Sequence, residues 1–275
     1  MKLQTEWVAF ESARESIPAF LARPERAQSS MPALVVIQEL YGVEEHIEDV
    51  TQRFATAGYE AIAPDLWAAG GARPEVLTRE RIAAVRAFLN ANPAAWSGPK
   101  AREDALAKLD VVERERLTAT IARLLGSDEG RAERFARYTE IMRGAVAHLR
   151  AQPGADMRKV GSVGFCMGGG ISGLLACTEP SLNAAVVFYG SPPPADKVAS
   201  VACPILGHYA DPDPRITPNV PAFSEAMQAN GKNFEHHVYA GAPHAFFNDT
   251  TGAYRVDAAR TAWARTLSFF LTHLS

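Results

Sequence analysis

The chain is poor in cysteine and has no marked excess of charge of either sign. Its 275 residues include only 3 Cys, and its formal net charge at pH 7 is −3. Three cysteines in so long a chain do not indicate a disulfide framework, and reduced thiols are typical of an intracellular protein. A near-neutral charge does not indicate the clustered basic surface that nucleic-acid-binding proteins carry. We therefore expect a protein without disulfide bonds that does not bind nucleic acid.

Long apolar runs are also missing from the sequence. No apolar stretch approaches the ~18 residues that a membrane-spanning helix requires, and residues 1–6 lack the apolar core of a signal peptide. The composition, with 47% hydrophobic and 21% charged residues, is that of an ordinary globular protein. We therefore expect a cytoplasmic protein that contacts no membrane and is a monomer or a homodimer.

Short apolar runs alternate with helical patterns along most of the chain. Continuous apolar runs are typical of strands in a parallel sheet whose two faces are both covered. The runs are Ala33–Ile37, Ala61–Ala63, Val160–Val163, Ala184–Tyr189, Pro204–Tyr209 and Phe234–Tyr239. Because helical segments separate these runs, the pattern predicts an α/β fold with a doubly wound, mostly parallel sheet.

Two segments interrupt this alternation. Trp7–Phe10 and Ile17–Ala22 surround a polar turn, which predicts an antiparallel hairpin at the sheet edge. Residues 67–130 have no strand pattern and contain helical stretches at Thr78–Leu89 and Ala101–Leu125. We interpret this region as a helical insertion within a single domain that covers residues 1–275. Its sequence is compatible both with a solvated appendage and with a lid.

The segment Gly164–Gly168 lies between a predicted strand and a predicted helix. Its pattern is that of a nucleophile elbow, G-x-Nuc-x-G, with Cys166 as the nucleophile. Both outer positions are Gly because side chains there would collide in so tight a turn. The start of the following helix favours a thiolate, and the Met167 N–H would point at a developing oxyanion.

These cysteines and glycines are also compatible with other interpretations. A dinucleotide-binding fingerprint would need Gly at the position of Cys166 and usually lies at the first strand–helix turn of a fold. A buried structural cysteine is a further alternative, and it suits Cys177 and Cys203 well. The strand–turn–helix setting favours the elbow.

An elbow nucleophile needs a base, and the base needs an acid that orients it. His244 lies in the loop after Phe234–Tyr239, at the strand end where ligands bind in open α/β sheets. The loop after Pro204–Tyr209 holds two candidate acids, Asp211 and Asp213. Asp213 is preferred on the chain order of the triad and on its place in the loop, and Asp211 could instead cap the turn. A metal site here would lack a further ligand pair at helical spacing, so neither a metal nor a cofactor is expected.

A third carboxylate, Glu39, follows the first predicted parallel strand. Its position is compatible with a surface loop and equally with the site, because the carboxyl ends of parallel strands meet at one edge of the sheet. The backbone N–H of Leu40 would then be the second donor of an oxyanion hole, together with that of Met167.

Four separated motifs resemble the dienelactone hydrolase family of α/β hydrolases. They are Leu34–Trp67, Gly164–Gly170, Asp213–Ile216 and Gly241–Phe246. The resemblance implies the α/β-hydrolase fold and the hydrolysis of a small ester or lactone by a Cys166–Asp213–His244 triad through an acyl-enzyme. It also implies that Glu39 holds the resting thiol and helps to deprotonate it when substrate arrives.

Two positions depart from the family pattern. The dienelactone hydrolases of the family hold a substrate carboxylate with two Arg, and the matching positions here are Ala69 and Asn248. We therefore expect either neutral substrates or an anion held by an Arg of the insertion. The candidates, which could also be solvated charges on helix surfaces, are Arg73, Arg79, Arg81 and Arg86. A general carboxylesterase or thioesterase and a non-catalytic α/β-hydrolase-like binding protein are the alternative functions.

Overall fold

The computed structural model describes residues 2–26, 31–126, 130–152 and 159–275. In these ranges the strands, β1 to β8 in chain order, are Leu3–Ser12, Glu15–Pro24, Ala33–Ile37, Glu60–Pro64, Val160–Phe165, Ala184–Phe188, Ile205–Asp211 and Phe234–Ala240. The α-helices, α1 to α8, are Glu45–Thr56, Arg79–Ala91, Pro99–Leu106, Val111–Leu125, Arg131–Arg150, Met167–Thr178, Val220–Ala229 and Val256–Leu274.

All eight strands belong to one sheet with the order β1-β2-β4-β3-β5-β6-β7-β8. The pairs β1–β2 and β2–β4 are antiparallel, and the remaining pairs are parallel. The predicted doubly wound, mostly parallel sheet with an edge hairpin is therefore confirmed. The hairpin strands are longer than predicted. In β1 most of the added residues, among them Gln4, Thr5, Glu6 and Glu11, are polar and exposed, so that they do not extend the apolar run.

Helices cover both faces of the sheet and bury two apolar clusters. On one face, α1 and α8 contribute Ile47, Phe54 and Phe270 to a cluster with alternate residues of the strands. On the other face, α5 and α6 contribute Met142 and Leu175. Burial on both faces explains why the central strands are continuous apolar runs, since every side chain of such a strand meets a helix layer.

Residues 67–130 contain α2, α3 and α4 and, in the described part, no strand. Apolar side chains of these helices, among them Ile82, Phe88 and Leu117, join the larger cluster on the sheet face. The predicted single helical stretch Ala101–Leu125 is wrong, because the chain breaks between α3 and α4. Asp110 begins α4 by accepting a hydrogen bond from the Glu113 N–H at 3.0 Å, a typical N-cap. The role of this insertion as a lid stays a prediction.

The direction of winding changes between β3 and β5. From β3 the chain continues to β4 on one side, whereas β5 lies on the other side of β3. The loops that leave the carboxyl ends of β3 and β5 therefore diverge and open a crevice, which is where ligands bind in open α/β sheets. Within the described ranges, no helix has the length and apolar character needed to cross a membrane.

Candidate active site

The turn after β5 carries Cys166 in a strained backbone conformation. Its φ is +54° and its ψ is −113°. Residues other than Gly rarely adopt this backbone conformation, and those that do are concentrated at functional sites. The flanking glycines are required by contact: a Cβ on Gly164 would lie 1.9 Å from the carbonyl oxygen of Gly168. A Cβ on Gly168 would lie 2.3 Å from the carbonyl oxygen of Ile37 at the end of β3. The elbow is therefore packed against the loop that holds Glu39.

Cys166 differs from the other two cysteines in its surroundings. It is half-buried at the start of α6, where unpaired N–H groups and the helix dipole favour an anion. Cys177 and Cys203 are buried in the apolar cluster beneath the sheet. Burial raises the pKa of Cys177 to about 11 and that of Cys203 to about 12, so both stay neutral thiols at physiological pH.

The structure brings the predicted base and acid together. Asp213 Oδ2 lies 2.6 Å from His244 Nδ1, although 31 residues separate them in the chain. Asp213 is buried and also accepts the backbone N–H of Arg215 at 3.3 Å, whereas Asp211 is exposed at the end of β7. The carboxylate of Asp213 therefore fixes the Nδ1 atom of His244, which leaves Nε2 as the nitrogen available to the reaction.

The charges around His244 favour its protonated form. Burial by itself lowers the pKa of His244, but its electrostatic and hydrogen-bond interactions with Cys166 and Asp213 outweigh burial and raise that pKa to about 10. Burial raises the pKa of Asp213, and the hydrogen bond with His244 reverses this, so that the pKa of Asp213 falls below its ordinary value. Among the described residues, His244 Nε2 is buried and has no partner that meets full hydrogen-bond geometry. The Cys166 side chain is nevertheless close enough to His244 for hydrogen bonding between them to contribute to the raised pKa.

Glu39 lies at the carboxyl end of β3 in a buried hydrogen-bond network. Its Oε1 accepts a hydrogen bond from the Tyr189 hydroxyl at 3.1 Å, and its Oε2 accepts one from Asn248 Nδ2 at 2.6 Å. The other side of the Asn248 amide is held as well, because its Oδ1 accepts from the Thr250 N–H at 3.0 Å and from the Thr250 hydroxyl at 2.7 Å. Asn248 is therefore a fixed hydrogen-bond donor to Glu39.

The carboxylate of Glu39 also acts on the site through its charge. Burial raises the pKa of Tyr189 well above its ordinary value, and electrostatic interactions with Glu39 and Cys166 raise that pKa further. Tyr189 lies with its ring centroid 5.0 Å from that of His244. The structure thus brings Glu39 and Cys166 to one site without a hydrogen bond between them in the described residues.

Neither Tyr189 nor Asn248 is predicted as a site residue from the sequence. Tyr189 ends the apolar run Ala184–Tyr189, which predicts a strand residue, yet it directly follows β6 and lies at the same edge of the sheet as the other candidates. Its positive φ of +39° in a non-glycine residue is a signal that only the structure provides. From the sequence, Asn248 stands out only as the residue at a position where the family has an Arg.

The two predicted oxyanion donors lie at adjacent strand ends. Leu40 follows Glu39 in the loop after β3, and Met167 is the first residue of α6. The backbone N–H groups of Leu40 and Met167 form no hydrogen bond with any group in the described ranges. Their role in an oxyanion hole stays a prediction.

Three of the four candidate cations of the insertion already have partners. Arg73 binds Asp65 and Glu44, Arg79 binds Glu48, and Arg81 donates to Thr120 and to a carbonyl of α4. Arg86 is half-buried on α2 and has no hydrogen bond or ion pair with the residues that the structure describes.

Arg86 also lies within electrostatic reach of the site. Burial raises the pKa of Tyr41, electrostatic interactions with Glu39 and Cys166 raise that pKa further, and the Arg86 guanidinium lowers it. Tyr41 is therefore influenced both by the candidate nucleophile and by Arg86, which among the four candidates has neither a hydrogen bond nor an ion pair with the described residues. No three His, Cys, Asp or Glu side chains in those ranges are grouped so that they could hold a metal ion.

Comparison with known proteins gives the family of the chain. A profile of the dienelactone hydrolase family matches residues 17–274. A protein of Saccharolobus solfataricus that is assigned as a carboxymethylenebutenolidase is 33% identical over 264 residues, which are 95% of this chain and 96% of that protein. A protein of Bradyrhizobium that is assigned as a 2-oxo-3-(5-oxofuran-2-ylidene)propanoate lactonase is 30% identical over 281 residues, which are 98% of this chain and 94% of that protein.

Solved structures agree with this result. The crystal structure of a protein of Klebsiella pneumoniae assigned as a dienelactone hydrolase superposes with a TM-score of 0.73 at 27% identity, covering 98% of this chain and 99% of the other. The profile match spans the strands and loops that carry the candidate site. The chain therefore belongs to the dienelactone hydrolase family and is a hydrolase with the α/β-hydrolase fold.

Proposed function

We propose that this hydrolase cleaves ester or lactone bonds by acyl transfer to Cys166, with His244 as the base and Asp213 as its orienting acid. The proposal rests on the 2.6 Å hydrogen bond between Asp213 Oδ2 and His244 Nδ1. The oriented imidazole accompanies a cysteine with a strained backbone at the start of a helix. This combination is the one that acyl-transfer enzymes use to activate a nucleophile.

The reaction would proceed in two steps. The Cys166 thiolate attacks the carbonyl carbon, and the negative charge moves to the carbonyl oxygen, which the N–H groups of Leu40 and Met167 stabilise. The C–O bond then breaks, His244 donates its proton to the leaving oxygen, and a thioester remains on Cys166. In the second step His244 removes a proton from water, the hydroxide attacks the thioester, and the acid product and free thiol are released.

An activated ester tests this function directly. With p-nitrophenyl acetate we expect a rapid release of nitrophenolate stoichiometric with the protein, followed by slower steady turnover as the thioester hydrolyses. A non-catalytic binding protein would release no nitrophenolate above the uncatalysed rate. Rates for acyl thioesters measured beside those for esters and lactones would reveal a thioesterase by its preference.

We propose a lactone that carries a carboxylate as the substrate class, with Arg86 as the group that binds the anion. The name of the Bradyrhizobium relative describes a lactone with a propanoate group. Arg86 is half-buried, has no counter-ion in the described ranges and acts electrostatically on Tyr41, on which Glu39 and Cys166 also act. At the two positions where the family has an Arg for the substrate carboxylate, this chain has Ala69 and Asn248, which carry no positive charge. The Asn248 side chain already donates a hydrogen bond to Glu39.

Arg86→Ala is expected to lower kcat/KM for a carboxylate-bearing lactone by about 10- to 100-fold, because a charge-assisted hydrogen bond contributes about 1.5–3 kcal/mol. The value for a neutral lactone of similar size should barely change. Arg81→Ala is the matched control, since Arg81 lies on the same helix but donates its hydrogen bonds to α4. A preference for the anionic lactone that survives Arg86→Ala would contradict this assignment.

Glu39→Gln is expected to slow acylation by about 100-fold, the lower range for a positioned acid–base group, while the protein stays folded. The amide has the same shape and can still accept from Tyr189, but its NH₂ group faces the NH₂ of Asn248, so one buried hydrogen bond is lost. The measurement is the rate of the nitrophenolate burst in a stopped-flow instrument.

Tyr189→Phe serves as the control for this effect. It removes one hydrogen bond to Glu39 but keeps the carboxylate. We expect a smaller loss of burst rate in this variant than in Glu39→Gln. Unchanged burst kinetics together with a lowered melting temperature in Glu39→Gln would show that Glu39 has only a structural role.

A further inference from the structure

The loop between β3 and α1, which would supply the first oxyanion donor, begins with a tight turn of residues 39–42. The N–H of Gly42 donates to the carbonyl oxygen of Glu39 at 3.3 Å. In a trans peptide the C=O and the following N–H point in opposite directions. The bond that holds the Glu39 carbonyl therefore also fixes the direction of the Leu40 N–H, away from the inside of the turn.

Two side chains from the beginning of the insertion pack against this turn. Gly42 has a φ of +89°, and a Cβ there would lie 2.6 Å from Trp67 Cδ1 and 2.8 Å from one terminal nitrogen of Arg73. Only a glycine allows both groups to approach so closely. Trp67 and Arg73 thus touch the backbone of the turn directly.

The same two side chains hydrogen-bond the carbonyl groups of the loop. Trp67 Nε1 donates to the Leu40 carbonyl oxygen at 3.0 Å, and Arg73 Nη2 donates to the Val43 carbonyl oxygen at 3.2 Å. These carbonyl groups lie on either side of Gly42. The loop is therefore held at two points by residues that follow β4 in the chain.

Arg73 is itself fixed by two carboxylates. Its Nε donates to Asp65 Oδ2 at 2.7 Å, and its Nη1 donates to Glu44 Oε1 at 2.6 Å. The side chain of Arg73 is only 10% exposed, and that of Asp65 is 4% exposed. A guanidinium is the side chain that can satisfy three acceptors in one plane, and a Lys ammonium has neither its shape nor its reach.

We propose that Arg73 and Trp67 are positioning residues for catalysis, which hold residues 39–43 so that the Leu40 N–H points at the oxyanion. This inference rests on the proposed acyl-transfer function. It assigns to the beginning of the insertion a role in the chemical step that does not depend on any movement of α2–α4. It also explains why Arg73 is not available to bind a substrate anion.

The test is Arg73→Ala assayed with an activated ester, with and without guanidinium chloride far below a denaturing concentration. Removal of an oxyanion donor costs about 10²–10³ in kcat. Because here the donor is displaced and not removed, we expect kcat to fall about 10- to 100-fold with little change in KM. Added guanidinium, which can occupy the space of the lost group, should restore much of kcat.

A second variant removes one hydrogen bond without opening a space. Trp67→Phe keeps an aromatic ring against Gly42 but deletes the donor to the Leu40 carbonyl. We expect a smaller fall in kcat, about 2- to 10-fold, which corresponds to one neutral hydrogen bond. If Arg73→Ala does not fold, Arg73→Ala combined with Asp65→Asn removes the uncompensated buried carboxylate and should fold with the same loss of kcat.

An aldehyde analogue of the ester tests the positioning role of Arg73 and Trp67 independently of turnover. The Cys166 sulfur adds to its carbonyl carbon and the oxygen takes up a proton, so that the bound oxygen lies where the oxyanion would. The affinity of the aldehyde should fall in Arg73→Ala by the same factor as kcat. This affinity can be measured even if the wild-type protein hydrolyses no ester. Absence of ester hydrolysis would overturn the proposed function but not the positioning role of Arg73. If folded Arg73→Ala keeps its kcat and its affinity for the aldehyde, the positioning role of Arg73 and Trp67 is overturned. Equal losses of kcat and aldehyde affinity in Arg81→Ala would overturn it as well.

Discussion

Cys166→Ala is expected to abolish turnover of esters and lactones, with a loss of kcat of about 10⁶-fold, as for the removal of other covalent nucleophiles. Cys166 has the strained backbone of an elbow, lies at the start of α6 and is half-buried. Alanine keeps the Cβ and the backbone of the turn, so the fold should persist. The nitrophenolate burst and steady turnover should both disappear, while circular dichroism and melting temperature remain close to those of the wild-type protein.

The other two cysteines provide the internal controls. Cys177→Ala and Cys203→Ala should keep most of the activity, because both thiols are buried in the apolar cluster and burial raises the pKa of each far above neutrality. Each substitution leaves a small space in the core and is expected to lower the free energy of unfolding by about 1 kcal/mol. Substantial activity in Cys166→Ala would refute acyl transfer to this residue.

The parts of the fold that sequence predicted well are those whose signal is local. The parallel strands are buried on both faces, so that apolar runs such as Ala33–Ile37 coincide with β3 to the residue. The outer hairpin strand, Leu3–Ser12, alternates with exposed polar residues and was predicted too short. The break between α3 and α4 depends on the capping side chain of Asp110, which a pattern of apolar spacing does not register.

The same distinction holds for the site. The elbow could be predicted because the need for its glycines arises within five residues of chain, from the close contact of Gly164 with Gly168. The hydrogen-bond partners of Glu39 could not be predicted, since Tyr189 is 150 residues and Asn248 is 209 residues away from it in the sequence. Such contacts follow from the meeting of strand ends at one edge of the sheet, and their side-chain directions are fixed only in the folded chain.

The choice between the two candidate acids can be decided by Asp213→Asn against Asp211→Asn. Asp213→Asn is expected to lower kcat by about 10⁴-fold, because an Asn NH₂ group donates to Nδ1 and so favours the wrong tautomer of His244. Asp211 is exposed at the end of β7, and its replacement should change kcat less than twofold, within the effect of an ordinary surface substitution. The measurement is kcat and kcat/KM for one activated ester across the three proteins.

The pH dependence distinguishes a direct role of Asp213 from a structural one. The Asp213 carboxylate is one of the groups that raise the pKa of His244 to about 10, so its removal must lower that pKa. Because the protonated imidazole donates to the leaving oxygen, activity is lost as pH rises through the pKa of His244 in the free enzyme. The basic limb of kcat/KM should therefore move to lower pH in Asp213→Asn and stay in place in Asp211→Asn. Equal and mild losses in both variants, with unmoved profiles, would mean that neither aspartate orients His244.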